Sequence, residues 1–139
     1  MSLKQSFCYP MFESDTVGYD ALCEAAARIG YPAVEWWFRD EQFAERVAIA
    51  KRHGLEVASI CGHQSLQIGL NNPAEHDRIE AELSESIDLA AQHGIANLIC
   101  FSGNRREGQT DVEAIEACAA GLRRVVQRAE RAGVNLNME

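Results

Sequence analysis

Four stretches of this chain hold side chains that could do chemistry. In "CGHQSLQIGLNNP", His63 follows Cys61 and Gly62. An imidazole that titrates near neutrality suits substrate binding, polarisation of a carbonyl or metal ligation, and equally a plain loop role. In "SGNRREGQTD", Arg105 offers a fork of donors to an anionic substrate group, within a run that is turn chemistry first. In "AVEWWF", Glu35 stands in an apolar run beside Trp36, Trp37 and Phe38, and needs a partner if buried. The chain ends "RAGVNLNME", with Glu139 closing a strand-like run where a compact domain seldom stops.

The other candidates read as structural. His53 and His93 precede Gly54 and Gly94 at helix ends, where a cation suits the helix dipole, and His76 opens a helix as a solvated residue. Cys8, Cys23, Cys61, Cys100 and Cys118 are odd in number, show no CxxC pair and mostly lie in apolar runs. That pattern reads as a reduced, cytoplasmic protein. Residues 1–7, "MSLKQSF", lead straight into a strand-like run and are not read as a signal peptide. No apolar stretch approaches a membrane span. Lys and Arg total 13 against 21 Asp and Glu, a net charge of −8 that argues against a phosphate-tracking, nucleic-acid-binding surface. The basic pairs are Arg105-Arg106 and Arg123-Arg124, the latter on a solvated helix face.

The elements that must position these residues repeat along the chain. Four times a helical stretch ends in glycine, at Gly30, Gly54, Gly94 and Gly133, and an apolar strand follows. Leu22, Ala25, Ala26 and Ile29 mark the first helical period, and Phe43, Val47 and Ala50 the second. Ile79, Leu83, Ile87 and Ala90 mark the third, and Ile115, Cys118, Leu122, Val125 and Ala129 the fourth. Asn72-Pro73 and Thr110-Asp111 are start signals for the last two helices. Strands are expected at about Ser6–Tyr9, Ala33–Trp37, Val57–Cys61, Leu98–Phe101 and Asn135–Glu139. Strands alternating with helices imply right-handed βαβ units and a parallel α/β sheet, read here as one domain, or part of one, over residues 1–139.

Two architectures fit this order: a five-stranded doubly wound sheet, or a TIM barrel cut after its fifth strand at about half the usual ~250 residues. The first would usually end in a covering helix, which is absent, and "YPMFESDTVGYD" has neither GxGxxG nor a Walker pattern. Residue pattern alone leaves both open. In either, the long loops after strands three and four mark the carboxyl edge as the ligand side.

"CGHQSLQIGLNNP", "HDRIEAELSESIDLAAQHGIANLICFSGNR" and "GVNLNME", in that order, resemble the xylose-isomerase-like TIM-barrel superfamily, nearest its hydroxypyruvate-isomerase-type sugar isomerases and epimerases. The resemblance spans essentially the whole chain but only the N-terminal half or so of such a barrel, a half-barrel of about five strands and four helices. It implies that Glu139 ligates a divalent metal (Mn, Mg or Co, with Zn less favoured) and takes part in proton transfer. It implies further metal ligands on strands six to eight. It also implies isomerisation or epimerisation of a small sugar or hydroxy-keto acid through an enediolate that the metal stabilises. With one such carboxylate, the chain alone is expected to be weak or inactive.

His63 also matches a zinc ligand of the apurinic endonucleases of that superfamily. Those enzymes place a second histidine where this chain has Phe101, and the acidic charge further weakens that reading. The role favoured for His63 is substrate binding or polarisation. In the second strand, alternation sends Glu35 and Trp37 to one face and Val34 and Trp36 to the other, so one tryptophan packs under helices and the other walls the pocket. Trp37 is assigned to the pocket, with two core tryptophans as the alternative. The competing class of function is a non-catalytic half-barrel that pairs with itself or a complementary half-barrel, because an open fifth strand invites pairing.

Overall fold

The computed structural model describes residues 4–14, 16–37 and 39–139; Phe38, read above with the tryptophans, lies outside the described residues. Five parallel strands and five helices make an α/β half-barrel. The chain forms two compact units, Met1–Ile60 and Cys61–Glu139.

The first unit holds β1 (Ser6–Cys8), α1 (Tyr19–Ile29), β2 (Ala33–Trp36), α2 (Phe43–Arg52) and all but the last residue of β3 (Glu56–Cys61). Strand β1 pairs parallel to β2 with Ser6 opposite Ala33, and β2 pairs parallel to β3 with an irregularity at Val34/Glu35. The core is Cys23, Val34, Trp36, Val47, Ala50 and Leu55. A run of tilted and edge-on rings crosses it, from Tyr9 to Tyr19 at 4.7 Å, Tyr19 to Trp36 at 5.7 Å and Trp36 to Phe43 at 5.6 Å. Each such pair adds to area burial because ring edges carry positive and faces negative charge. On the surface, Asp20 of α1 receives Arg52 and His53 from the end of α2, at 2.7 and 2.6 Å. His53 therefore does more than favour a helix dipole: with Arg52 it holds the Asp20 carboxyl below its ordinary range.

The second unit holds the end of β3, α3 (His76–His93), β4 (Asn97–Cys100), α4 (Asp111–Arg123), α5 (Val126–Ala132) and β5 (Asn135–Met138). Both start signals act as read. Asn72 caps a short 3-10 turn through the Ala74 N–H, and Thr110 and Glu113 form a reciprocal capping box at α4. All four repeat glycines have positive φ. Leu83 and Ile87 of α3, Leu98 of β4, and Val125 and Ala129 are all buried in the core.

Two expectations need correction here. The fourth helical stretch is two helices, because the Arg124 and Val125 N–H groups turn back to Gly121 and Leu122, three residues earlier. The β-branched pair Val125-Val126 favours that break, and the tightened turn carries Val125 into the core while Ile115 stays 68% exposed. His76 is buried rather than solvated, and its Nε2 donates to the Leu70 carbonyl at 2.9 Å. Gly121 packs against that ring, where a Cβ would stand 3.1 Å from Nε2. Strand β5 pairs parallel to β4 in register from Asn97↔Asn135 to Cys100↔Met138, yet most of it is exposed, as suits an edge strand.

Candidate functional site

In the second unit the site grows from the carboxyl ends of β3, β4 and β5. The Gly62 N–H donates to the Ile99 carbonyl at 2.8 Å, which carries the chain past β3 to His63. His63 is 2% exposed. Its Nε2 accepts the Phe101 backbone N–H at 2.9 Å, and its Nδ1 lies 3.0 Å from the Gln64 carbonyl. An amide can only donate and a carbonyl only accept, so the ring is the neutral tautomer with its proton on Nδ1. Burial pushes its pKa below the ordinary value. The Phe101 ring meets it edge-on at 5.5 Å. Both nitrogens are committed to main-chain partners, so in this geometry the imidazole braces two strand ends and offers no lone pair to a substrate or metal.

Glu139 stands next to that brace along β4 and β5. Its N–H donates to the Cys100 carbonyl at 2.9 Å and its carbonyl accepts the Ser102 N–H at 2.7 Å. The main chain of Glu139 is thereby tied to the last residue of β4 and to Ser102 beyond it, on either side of Phe101, while the residue itself is exposed.

The two long loops are clasped backbone to backbone. Leu70 N–H donates to the Phe101 carbonyl, Asn71 N–H to Ser102 and Asn104 N–H to Gln67, at 3.0, 2.9 and 2.8 Å. The Asn71 amide donates to the Asn104 carbonyl at 2.6 Å, and Gln109 Nε2 to the Asn71 carbonyl at 2.8 Å. The clasp leaves no room for side chains where it crosses: a Cβ on Gly69 would stand 2.4 Å from Gly103 N, and one on Gly103 (φ +88°) 2.5 Å from Gly69 N. Sequence reading missed these two glycines, as well as Arg78 and Glu82 of α3, whose carboxylate accepts the Gln64 N–H at 2.7 Å. The glycines inside the two long loops and the i,i+4 charge pair were visible signals, but their partners are distant in sequence.

Arg105 lies at the mouth of a cavity of about 470 Å³ lined by Asn71, Ser102, Gln109, Ile115, Leu122 and Met138, among others. It pairs with Asp111, with both side chains mostly solvated, so the pair contributes little and the guanidinium keeps further donors.

In the first unit, β1 and β2 bring Cys8 opposite Glu35. The Ser6 hydroxyl donates to the Glu35 carboxylate, which supplies the partner that residue needs. Trp36 is 3% exposed under the helices and Trp37 44% exposed, the division that alternation predicts. Burial, aided by Glu35, raises the Cys8 thiol pKa against an opposing hydrogen bond from Trp37.

Among the described residues, no group of three or more His, Cys, Asp or Glu side chains is placed to hold a metal ion. A divalent cation of the Mg or Mn kind wants about six oxygen-rich ligands. The side chains of the described residues therefore do not make a complete metal centre, and Glu139 is one donor among them.

The family model described as xylose isomerase-like TIM barrel matches residues 23–139. The chain belongs to that family. No curated protein matches the sequence. Among solved structures it is similar to 3-keto-D-glucoside 4-epimerase from E. coli, with TM-score 0.76 and 16% identity over 99% of this chain and 56% of that one. It is also similar to D-psicose 3-epimerase from Clostridium cellulolyticum H10, with TM-score 0.72 and 16% identity over 96% and 51%. An AP endonuclease, family 2, from Brucella melitensis follows with TM-score 0.68 and 14% identity over 98% and 55%. Identities this low establish the shared fold alone. The family chain described here spans about half the length of these structures. Among the described residues no helix is long and apolar enough to cross a membrane.

Proposed function

We propose that this chain contributes the first five strands of a barrel that isomerises or epimerises a small sugar or hydroxy-keto acid, in the manner of hydroxypyruvate isomerase. The observation that carries the reading is the placement of Glu139, whose main chain is fixed to β4 while the residue stays exposed. A carboxylate so placed can take a proton from the carbon next to a carbonyl, the step both reactions share; in isomerisation the same carboxylate returns it to the neighbouring carbon, and in epimerisation a second group returns one from the opposite face. His63 serves by holding the ends of β3 and β4 together, and the clasped loops form a firm rim that limits water around the reacting carbon. Arg105 offers further donors for an anionic group. A divalent metal is part of this reading, with Glu139 its one ligand from this chain and the rest supplied elsewhere.

The test is incubation of the chain in D₂O with a panel of ketohexoses and hydroxypyruvate, read by proton NMR. Deuterium entering the carbon next to the carbonyl supports the reading and identifies the substrate class. No uptake at any concentration of the chain, together with self-association in sedimentation, argues for the second reading, an association module.

That second reading is favoured by the edge of the second unit. Met138 (41% exposed) and Ile115 (68% exposed) flank the apolar part of the cavity beside an edge strand, a face suited to a second copy or a complementary half-barrel. Sedimentation over a range of concentrations separates the two.

A further inference from the structure

The loop 64–68 leaves β3 through a sharp turn, and Ser65 takes a left-handed conformation at φ +70°, unusual for a residue with a Cβ. Such a backbone persists only where its surroundings fix it. The Ser65 hydroxyl accepts the Ile68 N–H at 2.9 Å, which closes the turn on itself. Two charged side chains one helical turn apart on α3 then grip both of its ends. Glu82 accepts the Gln64 N–H at 2.7 Å through Oε2, and Arg78 donates to the Ile68 carbonyl at 3.3 Å through Nη2. The same two residues pair with each other, Arg78 Nη1 to Glu82 Oε1 at 2.8 Å, and Glu75 takes the Arg78 Nε at 2.8 Å.

We propose that Glu82 is a positioning residue for His63, acting with Arg78 as a clamp that fixes the loop, the tautomer of the buried imidazole and, through the Phe101 amide, the strand ends that carry Glu139. The chain of contacts is continuous. Glu82 holds the peptide joining His63 to Gln64; the next carbonyl, that of Gln64, receives the His63 Nδ1 proton; the opposite ring nitrogen receives the Phe101 N–H. Glu139 is hydrogen-bonded to the residues on either side of Phe101. A carboxylate is the strongest acceptor available to an amide, and Arg78 balances its charge without competing for the Oε2 atom that holds Gln64. Removing the carboxylate frees the Gln64 peptide to rotate, and the Nδ1 proton then loses the one acceptor that selects the tautomer.

The consequence for catalysis rests on the proposed proton-transfer reading, whereas the clamp itself is tested without any substrate. The experiment is long-range ¹H–¹⁵N NMR of the His63 ring, with amide exchange of Gln64 and Phe101, on the full chain and on Glu82→Gln, Glu82→Ala and Glu75→Ala. Wild type is expected to show a protonated Nδ1, an accepting Nε2 and slow exchange at both amides. Glu82→Gln keeps an acceptor oxygen and retains the ring signature; Glu75→Ala, which touches Arg78 but not the loop, does the same. Glu82→Ala is expected to average the two ring nitrogens and to speed Gln64 exchange by about tenfold or more, the scale of losing a hydrogen bond to a charged acceptor. An unchanged ring signature and unchanged exchange in a folded Glu82→Ala overturn the proposal. If that variant does not fold, Arg78→Ala decides: faster exchange of Gln64 supports the clamp and unchanged exchange overturns it. Deuterium uptake at the same rate in wild type and Glu139→Gln, with the ring signature intact, would instead count against the proton-transfer reading.

Discussion

The Phe101 amide donates to His63 Nε2 across 2.9 Å, joining two residues 38 apart in sequence inside a site where the ring is almost fully buried. The bond is made only by the neutral ring, because a protonated imidazole has no lone pair to accept an amide.

Protonation therefore opposes folding at His63. Its pKa in the folded chain lies below the ordinary 6.5, chiefly because burial penalises the charged form. The unfolded chain binds a proton first as pH falls, so this contribution to stability is whole above about 6.5 and drains away below it, toward the folded pKa. Urea midpoints measured from pH 7.5 downward should fall for wild type across that window and fall less for His63→Gln. Equal slopes would show that His63 does not titrate in the way its burial requires.

Gly69→Ala and Gly103→Ala should each destabilise the second unit by about 2 kcal/mol or more, because the added carbon meets backbone and cannot be relieved by a rotamer change. Gly103→Ala also carries the penalty of a positive φ. Gly108→Ala, with positive φ but open space around it, is the control and should cost less. Thermal melts of the three variants check the order.

The two tryptophans should differ sharply. Trp36→Ala opens a hole between Tyr19 and Phe43 and should cost about 3–5 kcal/mol. Trp37→Ala, half-exposed, should cost about 1 kcal/mol or less. Comparable losses of stability would return both rings to the core.

Manganese calorimetry should find no micromolar site on the chain, since one carboxylate at the end of β5 cannot replace the water around a divalent ion. Micromolar binding that disappears in Glu139→Gln would show a site assembled with another copy.

Much of this fold was legible because its signals are local. The four glycine-ended helices, the Asn72 and Thr110 caps and the alternation at Trp36 and Trp37 all depend on neighbours within a few residues. What the chain hid was the pairing of distant groups. Nothing near His76 announces that its ring bonds the Leu70 carbonyl and packs on Gly121, and nothing near His63 announces that the Phe101 amide occupies its Nε2. The break at Val125 escaped because the apolar period runs on through it, while a tightened turn changes which face is buried.

The proposed proton transfer by Glu139 on a small carbonyl substrate is tested by comparing deuterium uptake in wild type and Glu139→Gln. Wild type should show slow uptake next to the carbonyl, far short of full turnover, that vanishes in Glu139→Gln while the melting curve stays the same. Uptake at the same rate in both proteins would contradict that role for Glu139.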